Sequence, residues 1–229
     1  MANYLIDERT QQQIAAAIDA AVQRVLAELP HHGSEEGLTP VLGHALMQQS
    51  FELRDLEVHF NYRQLNKLTE EPAAGADGGF LVRVTVPGKT VKKAALFQAK
   101  LLIGLAPTRD LTMNGAEGSR LRDQCQDMLR QTNESVAIFY TRNEIYVVDA
   151  MHYTATSVRK PLSKSHRLIT LGTYLGKWLP RCTRGDETGP FVARVERPGG
   201  FKQGLELDVI TSRDPIPWKS DQAEAKWRR

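Results

Sequence analysis

The sequence predicts an α/β protein in which a mixed β-sheet of four or more strands is flanked by helices. Three observations carry that expectation. Residues 75–102, GADGGFLVRVTVPGKTVKKAALFQAKLL, hold two strand-like runs around Pro87 and Gly88. Residues 135–150, SVAIFYTRNEIYVVDA, hold two shorter β-branched and aromatic runs around Thr141 to Glu144. Ahead of the first pair and between the two pairs, apolar residues recur at helical spacing instead.

Taken in order, residues 6–29 place Ile14, Ile18, Val22, Val25 and Leu29 on one stripe, which predicts an N-terminal helix that packs on the core or pairs with another protomer. A second helix follows in SEEGLTPVLGHALMQQS, with Leu38, Leu42, Ala45 and Leu46 on one side. It starts either at Ser34, with Glu35 and Glu36 in the favourable first turn, or at Thr39 with Pro40 as its first residue. Pro87 and Gly88 suit the two central positions of a type II turn, although a bulge or longer loop would shift the pairing. With that turn Val86 faces Lys89 and, counting outward, Asp77 faces Gln98. Side chains alternate along a strand, so Ala94, Leu96, Gln98 and Lys100 share one face, and Ala95, Phe97, Ala99 and Leu101 the other. A strand apolar on both faces belongs in the middle of a covered sheet.

Residues from Gly104 to Arg120 read as a loop, interrupted by Pro107, Asn114, Gly115 and Gly118. Leu121, Cys125, Met128 and Leu129 then mark an amphipathic helix, with Gln124 one position before its apolar face. The pair at 135–150 forms a second hairpin in which Tyr140 and Tyr146 pack the sheet. A basic segment with Arg159, Lys160, Lys164, His166 and Arg167 leads to LITLGTYLGKWL, a helix ending near Trp178. Phe191 to Thr211 reads as two strands around Pro198-Gly199-Gly200, and the tail after Asp214 is polar. The expected organisation is a main domain over 1–180 and a β-rich extension over 181–229.

With 229 residues, 41% of them hydrophobic, the chain can build one sizeable core. A formal net charge of +3 and a pI near 8.9 are compatible with a nucleic-acid partner. Cys125 and Cys182 are too few for a disulfide framework or a zinc site, which suggests a reducing cytoplasm. No apolar run is long enough to span a bilayer, so no membrane partner is expected. No P-loop or dinucleotide fingerprint occurs, and none of the six histidines stands in a His-Glu-x-x-His arrangement.

Lys100, on an otherwise apolar strand, needs a partner or a task. A buried ion pair with Asp77 is one reading. The combination of Gly-Ala-Asp-Gly-Gly opening a strand and Gln-Ala-Lys ending its neighbour suggests another. Over roughly Glu35 to Ala150 the chain resembles the PD-(D/E)xK nuclease superfamily, similar to restriction endonucleases, in a variant where Gln-Ala-Lys replaces Glu-x-Lys. The resemblance implies a restriction-endonuclease-like core and Mg²⁺ or Mn²⁺ held by Asp77 and Gln98, with Lys100 orienting the attacking water. The backbone carbonyl of Ala99 would complete the protein's share of the shell, since Mg²⁺ takes oxygen ligands and keeps several waters. Glutamine in place of glutamate leaves the site one charge poorer, so weaker metal affinity is expected. The resemblance also places an assisting acid on the preceding helix, for which Glu36 is the candidate beside Glu35, with Glu70 and Glu71 as competitors. A glutamine on the later helix, Gln124, would contact the site or substrate. Arg159, Lys160, Lys164 and Arg167 would track phosphates, the contacts that dominate non-specific affinity for DNA. The implied function is a metal-dependent DNA endonuclease, the effector of a bacterial anti-phage or restriction system. A sensor or ATPase would govern it, and a homo-oligomer would suit double-strand cleavage. The alternative is an inactive nuclease-like subunit that binds DNA or assembles a complex.

Overall fold

The hairpin around Pro87 and Gly88 forms in the expected register. In the computed structural model, which describes residues 4–31, 35–64, 75–102, 115–155, 168–180, 184–198, 200–213 and 216–217, Val86 pairs with Lys89 and the ladder runs to Gly78 opposite Phe97. This defines β4 (Gly78–Val86) and β5 (Lys89–Leu101). Gly88 has φ 73°, the left-handed value that the second central residue of a type II turn requires.

The other elements assemble around that hairpin. A 15-residue helix, α3 (Gly115–Leu129), crosses from β5 to β6 (Ser135–Tyr140), which runs parallel to β5. The expected second hairpin joins β6 antiparallel to β7 (Ile145–Asp149). On the other flank lie β2 (Phe51–Leu53), β3 (Leu56–Gln64) and β9 (Gln203–Thr211). With the short β8 (Ile169–Thr170) they complete an eight-stranded mixed sheet in the order β2-β3-β9-β4-β5-β6-β7-β8. A separate pair, β1 (Tyr4–Leu5) with β10 (Ile216–Pro217), ties together the two ends of the described chain.

Helices cover both faces, which explains why β4 and β5 are apolar in both directions. On one face, Phe80, Val82, Ala95, Phe97 and Ile138 pack under α1 (Glu8–Glu28) and α2 (Glu35–Met47). On the other, Leu81, Leu96, Ala137 and Phe139 pack under α3, α4 (Ala150–Ala155) and α5 (Gly189–Glu196). Asp7 caps α1, its carboxylate accepting from the Thr10 amide at 2.8 Å. None of the helices among the described residues is long and apolar enough to cross a membrane.

Five expectations change. Residues 189–196 are helical, so Phe191 to Thr211 is a helix followed by one strand: Pro190 occupies the first turn, and Phe191, Val192 and Val195 all face the core. That strand, β9, lies between β3 and β4, so the residues beyond 180 are part of the main sheet and not an appendage to it. The start of α3 at Gly115 turns the last six residues of the expected loop into helix. Thr39 is not a cap: α2 begins at Glu35 and carries Pro40 inside it, while the buried Thr39 hydroxyl lies 3.1 Å from Tyr140 Oη. In LITLGTYLGKWL the helix begins only at Leu171, after Ile169–Thr170 has joined the sheet as β8, and Thr173–Trp178 forms a wide turn in which the Leu179 amide donates to the Tyr174 carbonyl at 2.8 Å. The strands β2 and β3 and the short α4 were not foreseen.

Candidate functional site

The β4–β5 ladder stops at Gly78 and Phe97, while β5 continues to Leu101. The gap beyond the last pair is where the candidate residues meet. The Asp77 amide donates to the Phe97 carbonyl at 3.0 Å, which turns its carboxylate toward the part of β5 that runs beyond β4. There Asp77 Oδ2 accepts from the Ala99 amide at 2.9 Å and from Gln98 Nε2 at 2.5 Å. The same Gln98 nitrogen reaches the Ala99 carbonyl at 3.3 Å. The amide and carbonyl of one strand residue point the same way, so a single residue, Ala99, presents a donor to the carboxylate and an oxygen beside it. Gln98 is 2% exposed, whereas Lys100 is half-buried.

Glycines hold Asp77 in this position. Gly75 has φ 66°, and a Cβ there would lie 2.6 Å from the Gln124 carbonyl oxygen and 2.9 Å from Asp127 Cβ. At Gly78 a Cβ would lie 2.6 Å from the Gln203 carbonyl oxygen and 2.5 Å from the Phe97 ring. Both contacts are with backbone or a packed ring, so the loop carrying Asp77 sits directly on α3 and against β9 because it has no side chains at these points.

Gln98 and Lys100 face α3, as the alternation along β5 required. Burial pushes the Cys125 thiol up to about 12; the charge of Asp149 adds to the effect and the Lys100 ammonium opposes it. Gln124, on the same helix and against Gly75, has a buried Oε1 with no hydrogen-bond partner among the described residues. A buried amide oxygen is normally hydrogen-bonded, so Gln124 Oε1 is a candidate acceptor for a donor. Another buried amide stands at this end of the sheet: Gln203, opposite Gly78 in the register and 3% exposed, likewise has a buried Oε1 without a partner among the described residues. Nothing in the local sequence signals Gln203, because its neighbours there come from distant segments.

Glu35 and Glu36 form the first turn of α2. Thr39, one turn later, meets Tyr140, whose strand partner in β5 is Leu101, so α2 starts near the end of β5 that bears Lys100. The candidate phosphate contacts Arg159, Lys160, Lys164 and Arg167 lie outside the described residues, as do Glu70, Glu71 and Cys182.

Among the described residues, no group of three or more His, Cys, Asp or Glu side chains could hold a metal. The donors that do converge are one carboxylate, one side-chain amide and one backbone carbonyl. Gln98 presents its nitrogen here, and only with Oε1 turned inward would the set become all oxygen with a single carboxylate, which would suit a hard, well-hydrated ion such as Mg²⁺ and match zinc poorly. Compared with protein-family models, curated proteins and solved structures, the chain matches none.

Proposed function

We propose that this chain is a metal-dependent endonuclease acting on DNA, with a restriction-endonuclease-like core. The observation that carries the reading is the meeting of Asp77, Gln98 and the Ala99 carbonyl where the β4–β5 ladder ends, two residues before Lys100 on the same face as Gln98. Asp77, Gln98 and the Ala99 carbonyl would hold Mg²⁺ or Mn²⁺, which supplies charge neutralisation at the scissile phosphate and a more acidic water. Lys100 holds and orients the attacking water through its ammonium hydrogens. Gln124 Oε1 accepts from substrate or water on the α3 side, Glu36 contributes a further acid from the start of α2, and Arg159, Lys160, Lys164 and Arg167 bind phosphates. Uncontrolled cleavage would harm the host cell, so a sensor or ATPase partner in an anti-phage system is the setting proposed for it.

A specific feature favours a second reading. Asp77 Oδ2 already accepts two N–H donors from the protein, so this oxygen is satisfied without an ion. A nuclease-like subunit that binds DNA without cutting it would look the same. Supercoiled plasmid separates the two. With Mg²⁺ or Mn²⁺, wild type should nick or linearise it, while EDTA and Lys100→Ala, shown by circular dichroism to be folded, abolish cutting. Equal DNA binding in EDTA with no cutting in either metal would instead establish the inactive subunit.

A further inference from the structure

We infer that the Gln98 amide is an internal stand-in for the cation and must turn over before a divalent ion can bind. The inference rests on the reading of the site given above. Gln98 Nε2 donates to Asp77 Oδ2 at 2.5 Å and lies 3.3 Å from the Ala99 carbonyl oxygen, on a side chain that is almost wholly buried. An amide nitrogen carries two hydrogens. Here they are directed at the two oxygens that would ligate the metal, so the NH₂ group bridges them as a small cation would.

Gln98 can itself act as a ligand only through Oε1. Half a turn about the last side-chain torsion, which is broad and nearly two-fold, exchanges Nε2 for Oε1. That orientation points three oxygens, Asp77 Oδ2, Gln98 Oε1 and the Ala99 carbonyl, at one place. Their lone pairs repel unless a cation or another donor stands among them, so without a metal the donating orientation is favoured and with one the ligating orientation. A cation that binds one of two states shifts the balance by its preference for that state. Glutamate could not behave in this way, because it has no N–H with which to fill the site. The glutamine therefore does more than lower the charge: it makes metal binding compete with two intramolecular hydrogen bonds.

Two measurements on the full chain without nucleic acid test this. The first follows the Gln98 side-chain NH₂ resonances, identified by their loss in Gln98→Glu, during Mg²⁺ titration. They should shift as the bonds to Asp77 and Ala99 break; unchanged resonances while Mg²⁺ binds elsewhere in the Asp77 environment would overturn the inference. The second compares Mn²⁺ affinity of wild type and Gln98→Glu by the spin-resonance signal of free Mn²⁺. Removing the competing donor and adding a charge should tighten binding on the order of tenfold or more. Equal affinities would sink the inference even if plasmid is cut. Tighter binding by the variant together with moving amide resonances would sustain it even if plasmid is never cut, in which case only the nuclease reading falls. If Gln98→Glu does not fold, the wild-type resonances, assigned through the backbone, decide the matter.

Discussion

At Gly75 a backbone φ of 66° coincides with a position where any Cβ would press on the Gln124 carbonyl. Strain and overlap act together there, so Gly75→Ala should destabilise the protein by about 1–3 kcal/mol, read from urea denaturation. The same change should weaken Mn²⁺ binding, since Asp77 is two residues away and its aim depends on this contact. Much of the site was legible at the scale of single residues. The type II turn at Pro87-Gly88 fixes a register, and the register brings Asp77 to Gln98 and sets Gln98 and Lys100 on one face. What could not be read was the hydrogen-bonding state. Whether Gln98 offers its nitrogen or its oxygen to Asp77 depends on atoms from three residues, and no spacing rule encodes it.

Among the elements, α5 shows how a local pattern misleads. Its sequence, GPFVARVE, has the β-branched and aromatic content of a strand. Its place is set by contacts from elsewhere: Arg63 donates to the carbonyls of Val195 and Glu196 at 3.0 and 2.8 Å, and Arg83 bridges Glu196 to Glu206 and Asp208 of β9. The Lys92 ammonium, with Arg83 beside it, holds the Glu196 carboxyl below its ordinary range, so Glu196 favours the fold at neutral pH and ceases to do so in acid. The turn between β6 and β7 behaves in the opposite sense. Burial raises the Glu144 carboxyl, and Asp19 of α1 adds to this, although the Ile145 amide donates to it. A raised folded-state value means that ionised Glu144 weighs against the fold at neutral pH, and that this penalty disappears as pH falls below the ordinary carboxylate range. Glu144→Gln keeps an acceptor for Ile145 and should therefore be more stable than wild type at pH 7. The difference should shrink toward zero near pH ~4, as followed by denaturant midpoints across pH.

For the molecule as a whole the decisive strand is β9. It pairs antiparallel with β3 and parallel with β4, and it buries Leu205, Leu207 and Val209 in the sheet's main core. At about 1.5–3 kcal/mol for each such side chain, those three contribute roughly 5–9 kcal/mol, comparable with the whole net stability of a domain. A chain ending at Lys202 should therefore show no cooperative thermal transition by circular dichroism. A folded truncated chain would mean that β3 and β4 can close on each other directly.

By itself the sequence determined the α/β class, both hairpins, the three long helices and the approach of Asp77 to Gln98, because each depends on neighbours within a few residues or on one tight turn. Tertiary structure decided the rest. It set β9 between strands more than a hundred residues away, made a helix of α5, seated the Asp77 loop on α3 and chose which atom of Gln98 meets the carboxylate. Those outcomes depend on which surfaces can be buried together and which donors lack another acceptor, and both are properties of distant segments brought into contact.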